Sequence, residues 1–359
     1  MTALRDFWLK RRSEEGADAA SEPVVLRTHL RLSRNLRDLP FPERLSPDER
    51  RDFSQKWATR LRKLPAFRRS LVLDLKSLGE DERWSLREWD YISALEATRY
   101  EGSYLLLKEE GNASVWLGGQ QHLSWSACQK GLGLERLWKQ VSRWASSVAE
   151  ADYAFSPQHG YLSPDSREWG SGLVASVTLH LPVLVESALY EQTMAELPSL
   201  GLKTCPEYGF VALELLPVVR ILHDVPSTPP AEALRRLREA VVLIRDRESV
   251  ERNRLWQKQN LRIWDRVNRA WGTLFSCQLL GAAEALHCLS QLRGAAAGGY
   301  LPKDWLSRID HWARQLLGGT FRVCLGENDL PREREEAERA RYVKSFITTE
   351  ARPMRPKNP

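Results

Sequence analysis

Apolar and polar residues alternate between Val24 and Asn35 with the two-residue period of a strand. Leu26, Thr28, Leu30 and Leu32 fall on one face, and Arg27, His29 and Arg31 on the other. The first face can sit on a core. The second sets two arginines beside a histidine, which repel unless water or an anion lies among them. The stretch reads either as a half-buried edge strand with a solvated basic face or as a site for a polyphosphate or carboxylate.

The rest of the pattern places elements around this strand. Leu4, Phe7 and Trp8 predict a short amphipathic N-terminal helix, followed by a linker to residue 22. Ser46-Pro-Asp-Glu49 is a capping box with proline at the first helical position. It predicts a helix running to Leu64, with Phe53, Trp57, Leu61 and Leu64 on one side. A short strand is expected over 71–75 and a helix over 81–95. Strands over 104–108 and 114–117 flank Glu109-Glu-Gly-Asn112, a compact turn, and so predict a hairpin. Helices are expected over 133–150, 187–200 and 230–258, and strands over 173–181 and 210–222. Hairpins rather than strict strand-helix alternation indicate the α+β class with a largely antiparallel sheet flanked by helices. Beyond residue 260 only helical patterns occur, over 261–275, 282–292, 303–317 and 332–347. An all-helical C-terminal domain is therefore expected.

Composition narrows the class. A chain of 359 residues, 42% hydrophobic with 14 tryptophans, suits a folded protein of two domains. The charge of 53 − 47 = +6 permits an acidic or nucleotide partner without arguing for nucleic acid. The five cysteines are odd in number and none forms a C-x-x-C pair, so neither a zinc site nor a disulfide framework is suggested. A reducing cytoplasm is the default location. Residues 1–21 lack the apolar stretch of a signal peptide, and no apolar run is long enough to span a membrane.

The opening strand also resembles the start of the catalytic domain of the ATP:guanido phosphotransferase (phosphagen kinase) family, most of all in bacterial protein arginine kinases. Their pattern there is Ser-Ser-Arg-x-Arg-x-x-Arg-Asn followed by Phe-Pro, of which Arg31, Arg34, Asn35, Phe41 and Pro42 are kept. Arg27 and Thr28 stand where the family has serines, and His29 where it has its first arginine. Residues 152–162 and the run Gly170-Ser-Gly-Leu-Val-Ala-Ser-Val-Thr-Leu-His-Leu-Pro182 resemble two further family segments. Residues 264–274 and 284–293 resemble the helical domain peculiar to protein arginine kinases. The resemblance implies a phosphagen-kinase-like domain over 23–258 and a helical domain over 259–349; the residue pattern gives a helix and linker over 1–22, and the three prolines of 350–359, with little to bury, predict a disordered tail.

Phosphoryl transfer from ATP to a guanidinium needs fixed cations around the triphosphate and carboxylates that orient the guanidinium and take its proton. The family supplies arginines from several strands and a glutamate from each of two loops. Carried over by position, its phosphate arginines fall at His29, Arg31, Ser124, Val174 and Cys205. One loop glutamate pair falls at Gly119 and Gln120 with an aspartate at Gln121, and the other glutamate falls at Phe210. The family's nucleotide-contacting histidine has no counterpart near 94–99. Hydrogen bonds to charged groups contribute roughly 1.5–3 kcal/mol each, so four lost arginines would remove about 6 kcal/mol, or about 10⁴ in affinity. Val174 and Phe210 in place of charge suggest that the pocket has partly filled in.

Arg27, Arg31 and Arg34 are the remaining candidates for ATP phosphates, and Glu207, Glu214, Glu109 and Glu110 for a displaced carboxylate. His122 and His180 read as structural histidines, and Trp264, Trp271, Trp305 and Trp312 as core or dimer interface. A phosphoarginine-binding element of the family falls on residues 335–340, where Glu335 and Glu336 replace its arginine and aspartate and Arg339 and Ala340 remain. No metal ligand set is evident. Two functions follow. One is a catalytically inactive, cytoplasmic protein-arginine-kinase-like protein that acts as a binding or regulatory subunit, either as a homodimer through the C-terminal helices or as a partner of an active paralogue. The alternative is an active kinase using Mg-ATP and an arginine-containing protein substrate through Arg27, Arg31, Arg34 and a displaced glutamate. Nucleic-acid binding through tryptophans and surplus arginines is the least supported reading.

Overall fold

The computed structural model describes residues 2–13, 21–93, 101–148, 152–187, 189–209, 211–257, 261–302, 304–327 and 330–347. Phe210, the segment 94–99 and the tail 350–359 lie outside the described residues.

Among the described residues ten strands form: β1 (Val25–Arg34), β2 (Leu71–Asp74), β3 (Tyr104–Leu107), β4 (Ala113–Leu117), β5 (Leu123–Lys130), β6 (Phe155–Ser156), β7 (Gly160–Tyr161), β8 (Leu173–His180), β9 (Leu202–Pro206) and β10 (Val218–His223). Eight of them make one sheet in the order β2-β3-β4-β5-β1-β8-β10-β9. Every pairing is antiparallel. β6 and β7 are a separate hairpin. β1 is thus not the edge strand that its basic face suggested. It lies inside the sheet, paired with β5 on one side and β8 on the other.

One face of the sheet carries the main core. Leu30, Leu32, Trp125, Val177 and Ile221 point into it, against Phe53 and Trp57, Leu137 and Val141, and Leu237 and Val241 of three helices. Those helices are Pro47–Leu61, Leu134–Ser146 and Pro230–Gln257. The Ser46 capping box forms as expected, but the helix closes at Leu61. The opposite face is covered at the β2-β3-β4 end by Leu4 and Trp8 of the helix Ala3–Ser13, Leu86 of the helix Glu80–Glu88, and Val323. Val323 belongs to a helix at Gly318–Leu325 that the sequence pattern did not single out. Beyond that cover, the β5-β1-β8-β10-β9 end of this face is left as a cleft.

Three further expectations change. The helix expected over 81–95 ends at Glu88, because Asp90 takes a left-handed backbone (φ 61°) and Tyr91 N–H bonds back to Leu86 O. Leu123–Lys130 is a strand where none was expected. The strand expected over 210–222 is confined to Val218–His223, and Leu202–Pro206 supplies its neighbour.

The C-terminal region is helical: Leu261–Ser276, Ala282–Ala297, Asp304–Gln315, Gly318–Leu325 and Arg332–Lys344. Trp264, Trp271, Trp305 and Trp312 are buried in its core. Arg339, retained from the family's regulatory element, is buried too. It donates to Leu280 O at 3.0 Å, pairs with Glu335 and lies over the Phe321 ring. That geometry gives it a structural role in joining helices.

Candidate functional site

Antiparallel register sorts the cleft floor into rows, because residues directly opposite one another share a face. Arg27, Thr178, Arg220 and Cys205 form one row across β1, β8, β10 and β9. His29, Ser176 and Leu222 form the next. Ser126, Arg31 and Val174 form a third. A cavity of about 470 Å³ opens over these rows, lined among others by His29, Arg31, Ser124, Val174 and Cys205. The five positions that the resemblance assigns to phosphate arginines therefore converge on one space. Val174 forms part of its wall, and Phe210 lies outside the described residues.

What fills its electrostatics is the chain itself. Arg27 reaches Asp90 at 2.7 Å and also pairs with Glu207. Arg220 donates to both Asp90 oxygens at 2.8 Å, and to Glu207 at 2.8 and 3.0 Å. Thr178, between the two arginines, accepts from Arg27 Nε at 3.4 Å and donates to Glu207 at 3.3 Å. Two guanidiniums and two carboxylates thus form a closed quartet. Burial pushes the Asp90 carboxyl up, but Arg220 and Arg27 outweigh it and hold the group well below the usual carboxylate range. His29 lies next to the quartet. Burial, opposed by Asp90 and reinforced by Arg220, Arg27 and Arg31, brings its pKa down to about 4. At neutral pH the position of the family's first phosphate arginine is therefore uncharged.

The other candidates separate from this site. Arg34 falls on the core face of β1, donates to Ser33 O and Ser171 O at 2.6 and 2.9 Å, and lies 3.5 Å over the Tyr161 ring. It is not in the cleft. Gln120 is exposed and bonds Glu168 at 3.4 Å. Gln121 bonds Asn35, Ser163 and Glu168, and Asn35 Oδ1 accepts from His122 N–H at 2.9 Å. His122 Nδ1 in turn accepts from Leu36 N–H at 3.2 Å, a structural role. At Gly119 an added Cβ would lie 2.1 Å from the Trp116 ring, so position 119 has no room for a side chain, whereas the exposed Gln120 next to it has. Glu214 is exposed, and Glu109 and Glu110 pair with Lys10 and Lys108 at the hairpin tip.

His180 Nε2 lies 2.8 Å from Ser290 Oγ, the spacing of a nucleophile and its base. Arg293 donates to Nδ1 at 3.3 Å, however, which puts the ring proton on Nε2 and makes His180 the donor to the serine. Among the described residues no three His, Cys, Asp or Glu side chains gather to hold a metal ion.

Asp90 and Arg220 were not among the residues that sequence reasoning had singled out. Arg220 carried a signal, as the lone charge in the apolar run 218–222. Asp90 carried none beyond closing a helix.

The fold is that of phosphagen kinases. The chain superposes on lombricine kinase with a TM-score of 0.54 and 18% identity, covering 66% of this chain and 70% of that one. It superposes on the duplicated taurocyamine kinase of Schistosoma mansoni with a TM-score of 0.54 and 17% identity, covering 66% of this chain and 35% of that one. In sequence, residues 52–209 match the ATP:guanido phosphotransferase C-terminal catalytic domain, and residues 260–357 match the protein-arginine kinase McsB C-terminal domain. The protein-arginine kinase of Caldanaerobacter subterraneus subsp. tengcongensis is 26% identical over 333 residues, covering 90% of this chain and 97% of the relative. That of Halothermothrix orenii is 29% identical over 294 residues, covering 81% and 84%. That of Bacillus subtilis is 26% identical over 293 residues, covering 80% and 78%. These matches support the ATP:guanido phosphotransferase (phosphagen kinase) family, with likeness to the bacterial protein-arginine kinases over both matched regions. None of its described helices is long and apolar enough to cross a membrane.

Proposed function

We propose that this chain is a catalytically inactive relative of the protein-arginine kinases that acts by binding or regulating a protein partner. The observation that carries this reading is the closed quartet of Arg27, Arg220, Asp90 and Glu207 on the cleft floor. A triphosphate needs cations aimed at it and unopposed. Here two of the arginines over the sheet are each neutralised by buried carboxylates, and those carboxylates would repel phosphate oxygens. The position of the first family arginine is a neutral imidazole. Arg31 and Arg87 are the other arginines lining the cavity. This donor set does not fit Mg-ATP. A guanidinium clamped between carboxylates is what the family's chemistry asks for, but here the guanidinium is Arg220 of the chain itself.

The alternative, an active kinase with a rewired site, draws support from Glu207, which places a carboxylate in the cleft. Its use of Arg27 and Arg34 is opposed by the quartet and by the position of Arg34 on the other face of β1. A second copy of the chain is proposed to associate through the helical region, where Phe275 and Leu279 are 40% and 46% exposed.

Calorimetric titration of the wild type and Arg31→Ala with Mg-ATP tests the main reading. No heat that depends on Arg31 is expected at millimolar nucleotide. Saturable binding that Arg31→Ala abolishes would establish a working nucleotide site and overturn it.

A further inference from the structure

A second cavity, of about 510 Å³, lies where the sheet meets the helices Ala282–Ala297 and Asp304–Gln315. It shares Glu207 and Tyr208 with the cleft but lies at the other end of β1. Its lining is strongly unbalanced in charge. Arg27 belongs to the quartet and Arg293 is held by Asp310 at 2.7 Å, while Glu110 pairs with Lys108. Arg11, Lys130, Arg136 and Arg314 remain, and among the described residues the three arginines have no carboxylate partner.

Two of these arginines are held close together. Arg11 and Arg314 both lie over the Trp89 ring, at 5.2 and 4.6 Å from its centroid. Arg11 also lies 5.7 Å over the Phe7 ring and donates to a backbone oxygen, Glu110 O. Arg11 Nε and Arg314 Nη2 are buried without a hydrogen-bond partner among the described residues, as is His311 Nε2 in the same lining. Buried donors of like charge on one indole are costly unless an anion satisfies them. His311 does not add to that charge, since burial lowers its pKa to about 4.

We propose that this cavity is a binding site for a phosphate-bearing small molecule, separate from the degenerate nucleotide cleft. The volume falls in the range of small-ligand sites, roughly 300–1,000 Å³. Three guanidiniums favour a phosphate dianion, with several oxygens to share, over a singly charged carboxylate. The site does not depend on whether the kinase cleft is active.

The test uses the full chain titrated with inorganic pyrophosphate by calorimetry and thermal unfolding, against sodium chloride at matched ionic strength and against citrate. Saturable binding is expected, weakened about tenfold or more by Arg136→Gln and by Arg314→Gln, and unchanged by Arg31→Ala. Arg136 is exposed, so its variant keeps the test valid if Arg314→Gln fails to fold. A response no greater than that of sodium chloride, or wild-type affinity in Arg136→Gln, overturns the proposal. Loss of binding in Arg31→Ala alone places the ligand in the other cleft and overturns it as well. Equal affinity for citrate removes phosphate as the ligand class.

Discussion

Arg27 and Arg220 stand in one row of the sheet with only Thr178 between them, and they coexist because Asp90 and Glu207 lie across both. Removing one partner of a buried charge group costs about 3–5 kcal/mol, because the remaining charges lose compensation without regaining water. Arg220→Ala should therefore lower unfolding free energy by about 3 kcal/mol or more in denaturant titration; a loss below about 1 kcal/mol, typical of exposed pairs, would show that the quartet is not coupled. His29 gives a signed pH test. Its folded pKa of about 4 lies below the roughly 6.5 of an unfolded chain, so between those values the unfolded state binds more protons. Stability falls as pH drops through that window. In His29→Gln this component is absent, so relative to wild type the variant should gain up to about 1.4 kcal/mol per pH unit between pH 6.5 and 4. A stability difference that stays flat over that window would contradict a neutral His29. The residues of the cleft floor were half legible in sequence. Alternation placed Arg27, His29 and Arg31 on one face correctly. The pairing of Arg220 with Asp90 joins positions 130 residues apart, and no local pattern carries it.

At the scale of elements, the β4–β5 loop is closed to a side chain at position 119 while position 120 is exposed. Gly119 lies against the Trp116 ring, so Gly119→Glu must displace an indole that is packed with Leu105 and Leu107. Overpacking of this kind costs about 1–3 kcal/mol. The variant should be less stable by that amount and still show no transfer of phosphate from ATP. Unchanged stability would mean that Trp116 moves freely and that the loop is open. β5 escaped the sequence reading although Leu123, Trp125 and Ala127 alternate with Ser124, Ser126 and Cys128. Its cleft face is built of small residues, so the apolar contrast is weak. The overrun of the helix Glu80–Glu88 has a different cause. Nothing in its composition requires a stop, and the left-handed turn at Asp90, usually a glycine position, is imposed by the ion pairs that Asp90 makes.

The whole molecule is bound together across the boundary that the sequence suggested near residue 258. Glu88 accepts from Gly319 N–H and Thr320 N–H at 2.8 Å and from the Thr320 hydroxyl at 2.7 Å, capping the helix Gly318–Leu325. Arg322 bonds Asp81 at 2.7 Å, and Arg5 reaches Leu325 O at 3.1 Å. Arg293 donates to Glu22 O and Pro23 O at 2.9 and 2.6 Å, just ahead of β1. Contacts this dense couple the two regions, so calorimetry should record one unfolding transition. Glu88→Ala should lower its midpoint without splitting it, and two well-separated transitions in the wild type would contradict the coupling. The class of each region was readable from periodicity. Their mutual locking was not, because it rests on single capping and ion-pair residues whose partners lie in distant elements.

One measurement bears most directly on the central claim. The chain would be incubated with Mg-ATP labelled at the γ-phosphate and an arginine-rich protein, and acid-labile label on arginine would be counted for wild type and Arg31→Ala. The closed quartet predicts no incorporation above the protein-free blank in either. Incorporation by the wild type that disappears in Arg31→Ala would show that the cleft transfers phosphate and would contradict the account.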